Sequence, residues 1–161
     1  MPLREEILSA NERYARDFDK SEPPSRHFAV VTCMDRRLDP VRFLGAEDGG
    51  AYVIRNAGGL VTDDALRSLV ISHWLLGTRE AVVIAHTDCG MLRFSNEQLR
   101  AKLADEADAD ASSVDFLPFP DLDESVRASL RRISESPLLP DSFAASGFVY
   151  DVESGRLREV A

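Results

Sequence analysis

The sequence predicts an α/β fold: a central, mostly parallel β-sheet flanked by helices, with an N-terminal helical arm and a C-terminal hairpin. Three observations carry this. Short apolar runs rich in β-branched residues recur at Phe28–Thr32, Tyr52–Ile54 and Ala81–Ala85, without the polar alternation of a sheet facing water, so each is expected to be covered on both faces. Segments with helical spacing separate and follow them. Residues able to do chemistry come directly after the runs: Cys33 after the first, Asn56 after the second, His86 and Cys89 after the third. Ligands in open α/β sheets bind beyond the carboxyl ends of the strands, so all three segments are expected on one edge.

Taken in order, Leu3–Phe18 sets Leu3, Ile7, Leu8, Tyr14 and Phe18 among charges and reads as a weakly amphipathic helix, an arm suited to a neighbouring surface. Pro23 and Pro24, in a linker from Ser21 to Ser25, end it. Thr62 is placed to cap a helix whose first turn holds Asp63 and Asp64, and Gly77 stops it after Leu76. Leu66, Leu69, Val70, Trp74 and Leu76 are expected on its buried face. Ile71 and Leu75 lie off that face, more apolar surface than a monomer requires. A polar helix from Ser95 fades towards Ser113 through the acidic stretch Ala104–Asp110. Leu122, Val126, Leu130 and Ile133 mark a further helix, closed by Pro137 and Pro140. Gly147–Val160 reads as a strand, a turn at Ser154-Gly155 and a short returning strand. The 161 residues fit one domain, with residues 1–20 as its arm.

A net charge of -9 argues against nucleic acid, which needs a basic face. No stretch approaches the roughly 20 apolar residues that span a bilayer, and the charged N-terminus has no apolar core suited to a signal peptide. Two cysteines make no disulfide framework, so a reducing, cytoplasmic location is expected.

Those cysteines lie in Cys33-Met34-Asp35-Arg36-Arg37 and His86-Thr87-Asp88-Cys89-Gly90. Two thiolates and an imidazole make a soft ligand set suited to Zn²⁺, with His86 and Cys89 spaced to chelate across one turn and Cys33 as the distant third ligand. Buried inert thiols are the plainer alternative. A structural zinc has no use for the Asp35 carboxylate and Arg37 guanidinium beside it, which favours a reaction. Asp88 reads equally as a turn-stabilising side chain or a substrate contact, and Asn56 as a turn cap or a site-shaping residue. Gly58 and Gly59 most simply permit an unusual backbone. His27 falls at the opposite sheet edge. His73 is expected packed or interfacial. Phe116, Leu117, Pro118 and Phe119 suit the core or a partner subunit.

Cys33-x-Asp35-x-Arg37, then Arg55-Asn56-Ala57-Gly58-Gly59, then His86-x-x-Cys89-Gly90 resembles the β-class carbonic anhydrases of the short prokaryotic branch, over Phe28 to Phe94. Arg36 departs from the small residue many members carry there. The resemblance implies reversible hydration of CO₂ to bicarbonate and a proton. Cys33, His86 and Cys89 would bind Zn²⁺, with zinc-bound hydroxide as nucleophile, oriented by Asp35, which Arg37 holds. Gly90, Asn56, Gly58 and Gly59 would shape the substrate site, Gly90 through its N–H, where a side chain would crowd the site. Asp35 is an alternative fourth ligand in a closed state. Homodimers or multiples of dimers are implied as well. COS or CS₂ hydrolysis on the same zinc site is the rival activity, and a non-catalytic zinc-stabilised binding module the rival class.

Overall fold

A computed structural model of the chain describes residues 3–19, 27–46 and 49–161; the linker from Ser21 to Ser25 lies outside them. Five strands are present, β1 (Phe28–Cys33), β2 (Ala51–Asn56), β3 (Glu80–His86), β4 (Ala144–Tyr150) and β5 (Leu157–Glu159). They form one sheet in the order β2-β1-β3-β4-β5. The first four are mutually parallel, and β5 returns antiparallel to β4. The helices are α1 (Leu3–Arg16), α2 (Pro40–Phe43), α3 (Asp63–Leu76), α4 (Asn96–Ala107) and α5 (Leu122–Ser134).

Strand β1 is central and buried at all six residues, which its unbroken apolar run requires. One sheet face, with Ala29, Val31, Ala81, Val83 and Ala85, packs under Leu69 of α3 and Val126 and Ile133 of α5. Alternate residues Phe28, Val30 and Ile84 form a second cluster with Ala46 on the other face, where α2 and partly buried Phe43, Phe148 and Leu157 give thinner cover. Fully buried Leu69, Ile84, Val30 and Val31 each stabilise the fold by roughly 1.5–3 kcal/mol. Helix α5 lies so close to β4 that a Cβ on Gly147 would stand 2.3 Å from Val126 Cγ1 and 2.9 Å from Leu130 Cδ1.

Helix α3 begins and ends as its sequence dictates. The Thr62 hydroxyl accepts the Ala65 N–H, and Gly77 closes the helix in the left-handed conformation. Its buried stripe, however, is Ala65, Leu69 and Ser72. Trp74 and Leu76 do not join it: Trp74 is 63% exposed, Leu75 76% and Leu76 47%. The indole N–H of Trp74 instead donates to the Leu138 carbonyl at 2.9 Å. The expectation of double cover fails for β2 as well, because it is an edge strand and stays only partly buried. Strand β4 starts three residues earlier than Gly147, since pairing with Glu80–Val82 extends Ala144–Ser146. Helix α2 is too short for periodicity to reveal, although Asp39 caps it and Pro40 opens it.

Candidate metal centre

Parallel register aligns the strand ends. Cys33 stands opposite Asn56, and Thr32 opposite Ile84, so β1, β2 and β3 deliver their motifs to one edge. There Cys33, His86 and Cys89, all buried, bring their ligand atoms within 4.8 Å of one another. His86 Nδ1 lies 2.8 Å from the Thr87 carbonyl. Donation there fixes the tautomer and leaves the Nε2 lone pair for a ligand. Nε2 is buried and has no hydrogen-bond partner among the described residues, an orphan that a metal ion at this position would satisfy.

Proton affinities in the pocket tell the same story. The hydrogen bond from Cys89 and those from His86, Asp35 and Gly58 lower the Cys33 thiol to about 4 against the opposing effect of burial. Sharing with Cys33, together with burial, pushes the Cys89 thiol far up. Burial opposes a charge on His86, yet the neighbouring Cys33 sulfur, the Thr87 carbonyl and the Asp35 carboxylate raise its pKa. The Cys89 thiol and the His86 imidazole thus hold on to protons that a divalent cation would replace, while Cys33 gives up its own readily. A Cys₂His donor set fits zinc with a fourth position open, the pattern of catalytic rather than structural sites.

The carboxylate of Asp35 stands beside this cluster, with Oδ2 3.9 Å from His86 Nε2. Arg37 grips it through Nε to Oδ1 at 3.0 Å, Nη2 to Oδ2 at 2.9 Å and its own backbone N–H to Oδ1 at 2.9 Å. Those bonds hold Asp35 well below the ordinary carboxylate range. The loop carrying both residues is pinned by Arg55 of β2. Its guanidinium donates to the carbonyls of Cys33 at 3.0 Å, Leu38 at 3.1 Å and Asp35 at 2.6 Å.

The remaining residues singled out from sequence divide. Asn56 turns its amide inwards on its own loop, donating to the Leu60 carbonyl at 2.8 Å and accepting the Leu60 N–H at 2.9 Å. Gly58 donates its N–H to Cys33 Sγ at 3.4 Å. Gly59, at φ +66°, presses on the end of β1, where a Cβ would stand 2.7 Å from Cys33 N. At Gly90 a Cβ would meet no described protein atom within 4 Å, so the space in front of this glycine is open on the protein side. Arg36 is exposed. Phe119 belongs to the apolar cluster around Cys33, Leu38, Cys89 and Met91, and its ring would collide with a Cβ on Gly58. His27 is exposed, and His73 Nδ1 is 2.7 Å from the Thr78 carbonyl, between Trp74 and Phe143. Sequence reading missed the clamp by Arg55 and the pairing of Asp88 with Arg37 and Arg93, since neither partner follows from spacing.

Comparison with known proteins agrees with this geometry. The family model described as carbonic anhydrase matches residues 28–157. Beta-carbonic anhydrase 1 of Mycobacterium tuberculosis is 46% identical over 164 residues, covering 99% of this chain and 99% of that protein. The solved carbonic anhydrase of Streptococcus mutans superposes with a TM-score of 0.94 at 44% identity, covering 100% of this chain and 99% of that one. A carbon disulfide hydrolase of an Acidianus strain is 36% identical over 175 residues, covering 94% of this chain and 86% of that protein. With a Cys-His-Cys cluster at the strand ends, an α/β sheet and full-length similarity of this kind, the chain belongs to the β-carbonic anhydrase family.

Proposed function

We propose that this chain, working as one domain with an N-terminal arm, is a zinc-dependent carbonic anhydrase that interconverts CO₂ with bicarbonate and a proton. The observation that carries the reading is Asp35, ionised and locked by Arg37, with Oδ2 3.9 Å from the orphan nitrogen of His86. Cys33, His86 and Cys89 would hold the zinc, whose chemistry when bound is to act as a Lewis acid that lowers the pKa of water. Asp35 then accepts the O–H of the attacking oxygen and aims its lone pair at the CO₂ carbon. Its low proton affinity makes it an acceptor rather than a proton store. Arg37 keeps the carboxylate in that orientation. Open clefts of 430 and 340 Å³ both border Arg37. The released proton passes to external buffer, because His27 is at the far edge and His73 is bound to Thr78.

The similarity to carbon disulfide hydrolases makes CS₂ or COS the competing substrate. Zinc analysis of the purified protein, joined to stopped-flow assays with CO₂, COS and CS₂, separates them. Zinc-dependent CO₂ hydration is expected, and CS₂ or COS turnover without it overturns the reading.

The unpartnered apolar surface supports a homodimer. Helix α1 buries none of its residues, and Leu3, Ile7, Leu8, Trp74 and Leu75 are all exposed. Thiol ligands and a net charge of -9 support a cytoplasmic enzyme without nucleic-acid partners. Among the described residues no helix is long and apolar enough to cross a membrane.

A further inference from the structure

Asp88 lies between two of the three residues that would hold zinc, yet it turns away from them. Its backbone takes φ +56°, a left-handed conformation that few residues other than glycine adopt. This turns its carboxylate towards Arg37. Oδ2 accepts Arg37 Nη1 at 2.8 Å, and the Asp88 carbonyl accepts Arg37 Nη2 at 3.1 Å. Oδ1 accepts from Arg93 Nη2. Arg37 meanwhile presents Nε and Nη2 to Asp35. Its guanidinium therefore uses different edges for the two carboxylates, so they cooperate in fixing it rather than compete for one donor. The result is a line of alternating charge, Asp35, Arg37, Asp88 and Arg93, that begins beside His86 and ends on the surface.

We propose that Asp88, held by Arg93, is the positioning residue that sets the orientation of Arg37 and, through it, of the Asp35 carboxylate. Without Asp88, Arg37 keeps its contacts to Asp35 but loses its side-chain anchor to the β3 loop, so the pair can swing as a unit. Arg93 touches neither Asp35 nor the zinc-binding side chains in any described contact, so its effect reaches the site through Asp88. The proposal rests on the carbonic anhydrase reading only for its kinetic arm.

The test uses the full-length zinc-loaded protein, with Arg93→Ala, Arg93→Lys and Asp88→Asn, the last because Asn tolerates the left-handed backbone. Two quantities are read: kcat/KM for CO₂ hydration, and the solvent-exchange rate of the Arg37 Nε–H by nuclear magnetic resonance. Side chains of Asp88 and Arg93 are 47% and 68% exposed, so Arg93→Ala is expected to lower kcat/KM only about threefold, a typical effect of an exposed pair. Asp88→Asn is expected to lower it about tenfold, as for residues that orient a metal site from behind. Both should speed Arg37 Nε–H exchange at unchanged zinc content, and Arg93→Lys should restore most of each loss. Arg93→Ala in the Asp88→Asn background should add nothing. Unchanged Arg37 exchange in Arg93→Ala overturns the proposal, whatever the kinetics. If Asp88→Asn loses zinc or fails to fold, Arg93→Ala alone decides. If the parent protein does not hydrate CO₂, the functional reading fails while the exchange measurement still decides this one.

Discussion

Replacing Gly59 by alanine tests how the fold holds the metal centre. At φ +66° an alanine carries the left-handed penalty, and its Cβ would lie 2.7 Å from Cys33 N, 2.8 Å from Thr32 C and 3.0 Å from Thr32 Cα. These are backbone atoms of a fully buried central strand, so no side chain can rotate away to make room. The left-handed penalty is about 1–2 kcal/mol, and overpacking adds about 1–3 kcal/mol. In a chain of this length the sum of about 2–5 kcal/mol corresponds to a Tm lower by roughly 5–15 °C. Gly45 supplies the control: it has φ +63°, but a Cβ there would meet nothing within 4 Å among the described residues. Gly45→Ala therefore isolates the backbone penalty, and the excess loss in Gly59→Ala isolates the collision with β1. Because the atom struck belongs to Cys33, zinc affinity should also fall in Gly59→Ala and stay unchanged in Gly45→Ala. Urea or thermal unfolding of both variants, alongside a competitive zinc titration, measures this. Equal destabilisation by the two substitutions, or full zinc affinity in Gly59→Ala, would refute the reasoning.

Asp35→Asn keeps the shape beside His86 but removes the charge that pairs with Arg37, so kcat/KM for CO₂ should fall about 10–100-fold with zinc content unchanged; hydration at the parent rate would disfavour the catalytic assignment. Zinc binding should release protons, since the Cys89 thiol and the His86 imidazole both have raised proton affinities and both must bind deprotonated. Affinity should therefore strengthen as pH rises, and calorimetry in buffers of different ionisation enthalpy should show the release; a pH-independent affinity between about pH 6 and 8 contradicts it. Light scattering at micromolar concentration should give twice the 17.8 kDa of one chain, and a monomer there would contradict the homodimer.

The strands were legible because their burial is locally encoded. Phe28–Thr32 and Ala81–Ala85 are apolar runs with no alternation, and both became interior strands. Caps were legible for the same reason: Thr62 and Gly77 act on backbone groups within a few residues. The gathering of Cys33, His86 and Cys89 followed from their placement at strand ends, which parallel register then aligned. What was not legible depends on three-dimensional neighbours. Trp74 and Leu76 looked like core because hydrophobicity does not say which side of α3 meets the sheet; Ala65, Leu69 and Ser72 do. Arg55 lies 22 residues from Cys33, and its three carbonyl acceptors carry no residue-type signal at all. Gly59 takes the positive φ that its Gly-Gly pair suggests, but its close approach to the strand bearing Cys33 carries no signal in the sequence.

The charge arrangement explains how such a site can serve a neutral substrate and an anionic product. Two thiolates would cancel the +2 charge of zinc, so the centre would acidify water less strongly than one with neutral ligands. Beside it, Asp35, Arg37, Asp88 and Arg93 alternate in sign and sum to zero. These four side chains thus add no net charge beside the cluster, and CO₂ needs none to approach. Bicarbonate leaves from the same edge of a chain whose net charge is -9, and that field disfavours its retention. On the proposed role of Asp35, selectivity for the reaction rests on direction rather than on charge. An Asp35 carboxylate fixed in angle by Arg37 can hold the nucleophile in line with the CO₂ carbon, whereas one free to rotate would offer the same charge without the alignment. That is why so many of the hydrogen bonds at this edge, from Arg55 to the loop carbonyls and from Arg37 to Asp88, restrain orientation instead of adding charge.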